Sequence, residues 1–144
     1  MPHWLRPGNA TTLPFVRNVL RVVLAAFYLA AGVMHLNSPV GFLAITPEWV
    51  PYPQAVVAFT GVAEIAGALG ILIPRTRKAA GIGLALYALC VWPANINHAI
   101  NDIAIGGRHM GPWYHWPRLA LQPVFIWLAL WVTQVVEWPF RKSR

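Results

Sequence analysis

Six side chains able to bind oxygen functions or exchange protons are spaced along otherwise apolar runs of this 144-residue chain: His35, Glu64, Asn95, His98, Arg118 and Gln122. Glu64 and the two histidines can take up or release a proton, and Gln122, Asn95 and the histidines can hydrogen-bond carbonyl oxygens. The set suits a small-ligand or quinone head-group site with proton exchange. Glu64 is the single carboxylate in the run Ala55 to Ile73, which at roughly 1.5 Å per residue would cross a hydrocarbon core of about 30 Å. At mid-depth an ionisable group is costly unless it is protonated, paired or wetted, so the other helices must give Glu64 company.

Winding that run at about 100° per residue sorts it into two stripes. Val57, Thr60, Gly61, Glu64, Gly67, Ala68 and Ile71 share one, small and polar, which suits a bundle interior. Ala55, Phe59, Val62, Ala66, Leu69 and Ile73 share the other, which suits lipid. Three further runs have comparable faces. About 19–36 carries Leu24, Tyr28, Ala31, Gly32 and His35 on one stripe, with Arg21 snorkelling at its start. About 79–97 carries Leu84, Ala88, Val91, Asn95 and His98, and Pro93 predicts a kink or break because it frees the Leu89 carbonyl. About 117–136 carries Arg118, Gln122, Phe125, Ile126, Ala129 and Thr133, with Trp127 and Trp131 turned to lipid.

The links are short. Residues 1–15 read as a proline-rich tail, 37–54 as a stiff apolar connection on the bilayer surface with one helical turn, and 99–116 as a loop anchored by Trp113 and Trp116. Arg75, Arg77 and Lys78 form a basic turn, and 139–144 form a basic tail. Arg6, Arg17, Arg21, Arg75, Arg77, Lys78, Arg141, Lys142 and Arg144 fall on one side, against Arg108 and Arg118 on the other. Nine against two predicts cytoplasmic termini. The expectation is an all-α membrane protein, its transmembrane domain at 16–138 a four-helix up-down bundle. A basic start, a short apolar core and small residues would also fit a signal peptide in the first run, but its packing stripe favours a retained helix.

Composition narrows the function classes. Only 10% of residues are charged while 58% are hydrophobic, the balance of a chain solvated mainly by lipid. The formal charge of +7 is not gathered on a soluble helix, and no zinc or phosphate-loop motif is present, so nucleic acid is not an expected partner. Cys90 is the only cysteine, which excludes an intramolecular disulfide and CxxC exchange chemistry. No dinucleotide fingerprint, haem-attachment motif or cysteine cluster points to a covalent cofactor. His98 and Asp102 stand four apart with His109 and His115 nearby, a spacing that would admit a metal, but interfacial polar residues account for it and no metal is assigned.

Four segments, AGVMHL at 31–36, TGVAEIAGALGILIP at 60–74, VWPANINHA at 91–99 and RLALQPVFIW at 118–127, resemble the DoxX-like family of small four-span membrane proteins. They sample all four runs, about residues 19–136. The resemblance implies a multi-pass protein of the bacterial cytoplasmic membrane. One branch of that family is the membrane subunit of thiosulfate:quinone oxidoreductase, and other members associate with oxidative-stress partners.

By helical rise His35, His98 and Arg118 lie near the outer boundary, Asn95 and Gln122 about a turn inward, and Glu64 about 13 Å down, a polar funnel opening outward. Two functions stay open. One is a membrane-anchoring or quinone-interacting subunit, not an enzyme on its own, that docks a soluble oxidoreductase. The other is a scaffold or small-solute transporter, alone or as a homo-oligomer, in which the polar groups form a knot with Glu64 protonated or bonded to Thr60.

Overall fold

In the computed structural model, which describes residues 12–139, the chain is all-helical: α1 (Thr12–Asn37), α2 (Val40–Ile45), α3 (Pro53–Leu72), α4 (Arg77–Asn101) and α5 (Pro112–Val132). α1, α3 and α4 are each long and apolar enough to cross a membrane, which suggests a membrane protein. Residues 1–11 of the expected tail and 140–144 of the basic tail, with Arg6, Arg141, Lys142 and Arg144, lie outside the described residues.

Prolines and caps set the boundaries. α1 starts inside the expected tail because Pro14 occupies its first turn, where a missing N–H costs nothing. α2 is the expected surface turn, closed by the Thr46 hydroxyl donating to the Phe42 carbonyl at 2.8 Å. α3 begins at Pro53, and Arg77 Nε donates to its Ile71 carbonyl at 3.1 Å, satisfying an orphan acceptor at the negative helix end. α4 runs through Pro93 to Asn101, past the expected stop near 97, and leaves the helix at Asp102 with φ 41°. α5 starts at Pro112 rather than Pro117, since Gly111 at φ 71° turns the chain and a proline suits the first helical position. It stops at Val132, before the expected 136, where Thr133 and Gln134 turn the chain back and the Trp127 indole donates to the Trp138 carbonyl at 3.1 Å.

α1 packs on α3, α3 on α4 and α4 on α5, and α5 closes against α1. On α3 the buried residues are Val57, Gly61, Glu64, Ala68 and Ile71, while Phe59, Val62, Leu69 and Ile73 are exposed, the two stripes expected from the winding. α1 and α3 approach closely at a pair of glycines. A Cβ on Gly32 would stand 2.6 Å from the Gly61 carbonyl oxygen, so only glycine lets the backbones meet there. The apolar core, including Leu24, Tyr28, Ile71, Leu84, Ala129 and Val132, fills the half of the bundle next to Arg21.

Two expectations are corrected at that end. Arg21 does not snorkel: it is buried, and its Nε and Nη2 donate to the Val132 carbonyl at 2.9 and 2.6 Å, closing α5 with a charge-assisted cap. Trp131 does not face lipid. It is buried under the Arg17 guanidinium, 4.7 Å from the ring centre, and stacks on Trp127, because the chain reversal after Val132 folds this end of α5 inward.

Candidate functional site

The other half of the bundle is hollow. A cavity of about 970 Å³ lies among α1, α3, α4 and α5 beneath α2, with mostly apolar walls. Exposed Phe59, Leu86 and Leu121 line it at mid-helix, so it reaches the flank, and exposed Trp49 and Trp113 line it towards the end nearest α2. Phe42 and Ile45 of α2, with Thr46 and Pro47 beyond them, cover part of the end nearest α2, where the sequence suggests an outward mouth. Burying Ile45 and stacking Phe42 draw the short helix over the bundle, and Asn97 of α4 ties it down by donating to the Ile45 carbonyl at 2.9 Å.

One polar wall belongs to α1 and α3. His35 Nδ1 lies 2.8 Å from Glu64 Oε2 and 3.0 Å from the Ala31 carbonyl, and its ring stacks on Phe42 at 3.6 Å. The pairing follows from backbone geometry. α1 and α3 run antiparallel, so the glycine contact sets His35 of α1 against Gly61 and Glu64 of α3 against Gly32, and the two side chains reach each other across the glycines from neighbouring turns. Tyr87 of α4 places its hydroxyl beside Glu64. Thr60, a partner for Glu64 on sequence grounds, donates instead to the Val57 carbonyl at 2.7 Å within its own helix.

The second wall belongs to α4 and α5, and its bonds run in one direction. Gln122 Nε2 donates to the Ala88 carbonyl at 2.5 Å, which turns Gln122 Oε1 towards Asn95 Nδ2 at 3.3 Å. Asn95 Oδ1 then accepts from Arg118 Nη2 at 2.6 Å, while Arg118 Nη1 donates to His98 Nδ1 at 2.9 Å. An arginine only donates, so His98 Nδ1 is an acceptor and a neutral His98 carries its proton on Nε2. Arg118 also lies 5.6 Å from the centre of the Tyr114 ring.

Outside this wall Asp102 organises the α4–α5 loop. Its Oδ1 accepts from His115 Nε2 at 3.0 Å and from the Gly111 amide at 3.3 Å, and Oδ2 lies 3.2 Å from His109 Nδ1. The His115 hydrogen bond, followed by the Gly111 amide and the adjacent His109, holds the Asp102 carboxyl below the usual carboxylate range. His115 packs edge-on against His98 at 4.6 Å. Among the described residues no group of three or more His, Cys, Asp or Glu side chains could hold a metal ion.

Of the six residues picked from sequence, His35, Glu64, Asn95, Arg118 and Gln122 line the cavity. His98 is fully buried behind Arg118 and acts on the cavity only through it. The structure divides the six into two walls, which the sequence does not foreshadow. Tyr87 and Phe42 escape a sequence reading, since an aromatic residue in an apolar run carries no signal of its own. The glycine contact has one: the parallel spacings Gly32 to His35 and Gly61 to Glu64.

The chain belongs to the family described as Domain of unknown function (DUF8561), which matches residues 24–133. No curated protein and no solved structure matches it.

Proposed function

We propose that this member of a family of unknown function is a four-span protein of the bacterial cytoplasmic membrane whose flank-opening cavity takes the head group of a membrane-dissolved quinone, as the membrane subunit of an oxidoreductase. The observation that carries this is an apolar cavity opening at mid-helix with a titratable wall and a donor wall. A lipid-soluble ligand would enter sideways from the hydrocarbon without crossing water. The donor set suits a quinone: Arg118 offers N–H groups to a carbonyl oxygen, and Glu64 with His35 would exchange the accompanying proton. The redox chemistry is the quinone's, with electrons supplied by a soluble partner. The resemblance to DoxX-like proteins points the same way.

The scaffold alternative is favoured by one observation, that buried Glu64 Oε2 and His35 Nδ1 lie within ion-pair distance of one another at 2.8 Å. Glu64→Gln separates the two, because it keeps the shape and hydrogen bonding but removes the titration. On our proposal the variant assembles with its partner and loses quinone-dependent electron transfer. An assembled variant with undiminished quinone reduction leaves the scaffold in front. Purification from native membrane, with mass spectrometry of retained lipids and proteins, should recover a quinone and a soluble oxidoreductase.

A further inference from the structure

Arg118 is unlike the other arginines whose bonds hold this bundle together. Arg17 is paired with Glu137 at 2.7 Å, Arg21 closes α5 on the Val132 carbonyl, and Arg77 closes α3 on the Ile71 carbonyl. Arg118 lines the cavity, and its hydrogen bonds go to the neutral groups Asn95 Oδ1 and His98 Nδ1. Among the described residues no carboxylate lies within 4.0 Å of it. Glu64, the carboxylate on the facing wall, is engaged by His35.

Those bonds use two of the guanidinium's five N–H donors and fix its plane. The fixation is built in depth, since Asn95 is held by Gln122 and Gln122 by the α4 backbone. A partly buried cation without a counter-ion has donors to spare, and an anionic oxygen against the remaining donors would add charge-assisted bonds. A neutral carbonyl would add much less.

We infer that the cavity selects amphiphiles whose head group carries an anionic oxygen, an ionised enol, phenol or carboxylate, set against Arg118 with its tail among Phe27, Leu121 and Phe125. This rests on the reading of the cavity as a ligand site and names the chemistry it prefers there. The volume of about 970 Å³ is at the upper end of the roughly 300–1,000 Å³ of small-ligand pockets, so a head group with part of one chain fits.

The test is a matched pair of probes: 2-hydroxy-3-undecyl-1,4-naphthoquinone, at a pH where its hydroxyl is ionised, and its 2-methoxy ether, the same skeleton without the charge. Binding is read on the full chain in detergent from protection of Cys90, the one cysteine, which lines the cavity, against a maleimide. The hydroxyquinone should bind the unmodified protein about tenfold or more tighter than the ether. Arg118→Gln should weaken the hydroxyquinone about tenfold or more beyond any loss for the ether, abolishing the preference, and Arg118→Lys should keep part of it. Equal binding of the two probes to the unmodified protein, or a preference that survives Arg118→Gln, overturns the inference and leaves the cavity a quinone site. Binding of neither probe overturns the cavity reading as well. The unmodified protein decides the matter even if Arg118→Gln fails to fold.

Discussion

Asp102 shows how much one side chain settles at this end of the bundle. It ends α4 in the left-handed region with φ 41°, accepts the Gly111 amide that precedes α5, and holds His115. Its carboxyl lies below the ordinary range because the His115 bond stabilises the ionised form. A depressed folded pKa adds stability that is fully present above the unfolded value, about 3.9, and disappears as the pH falls through the lowered folded value. Asp102→Asn keeps the shape and tolerates the left-handed backbone while removing the charge. It should therefore unfold at a lower temperature than the unmodified protein at pH 7, and the gap should close once the medium is more acidic than the ordinary aspartate range. Melting curves in detergent at both pH values check this, and a gap that persists in acid would show that Asp102 acts through shape alone. Only part of this is legible in the sequence. The spacing of His98, Asp102, His109 and His115 marks a cluster, but the sequence reads as a loop around His115, so nothing in it indicates that this side chain turns inward from the first turn of α5.

The helices are legible to the extent that side-chain periodicity controls them. Residues 55–73 wind as expected because helical stripes depend on local spacing, and Gly61, Glu64 and Ala68 are buried where Phe59 and Leu69 are not. Helix ends are less legible, because Pro14 and Pro112 look like breakers yet occupy first turns, and Pro93 lies inside a continuous α4. The choice of partner between helices is not legible at all. That His35 meets Glu64 depends on which glycines touch, a non-local fact carried by Gly32 and Gly61. Gly32→Ala puts a methyl group against backbone, which cannot rotate away, so it should destabilise the bundle by about 1–3 kcal/mol. Gly83→Ala is the control. Gly83 lines the cavity, and a Cβ added there would meet nothing within 4 Å, so alanine should be neutral or gain up to about 1 kcal/mol of helix propensity. Equal melting temperatures for the two variants would remove the glycine contact as the element that aligns the titratable wall.

At the scale of the molecule, the surface carries what a soluble fold buries: Val22, Val23, Phe27, Met34, Phe59, Val62 and Leu69 are all exposed along α1 and α3. α1, α3 and α4 pass as spans on length and hydropathy, while α5 does not, and an odd number of spans would leave the two ends of the chain on opposite sides. The residues that lower the hydropathy of α5 include His115, Arg118 and Gln122, which serve the inner network and the cavity rather than lipid. Its ends are also fixed to the other helices. His115 meets Asp102 at the far end of α4, and Val132 meets Arg21 in the early turns of α1, so α5 returns along the bundle for about 30 Å of helical rise. On that basis we propose that α5 is a fourth span, with the side set by the basic turn at Arg75, Arg77 and Lys78, which the positive-inside rule would put in the cytoplasm. Reporter fusions at Arg77 and after Pro139 should both read cytoplasmic, and a fusion at Gly107 should read external. A reporter after Pro139 that shares the side of Gly107 would make α5 a surface helix. The cavity would then lose its donor wall from the membrane interior, and Arg118 with it.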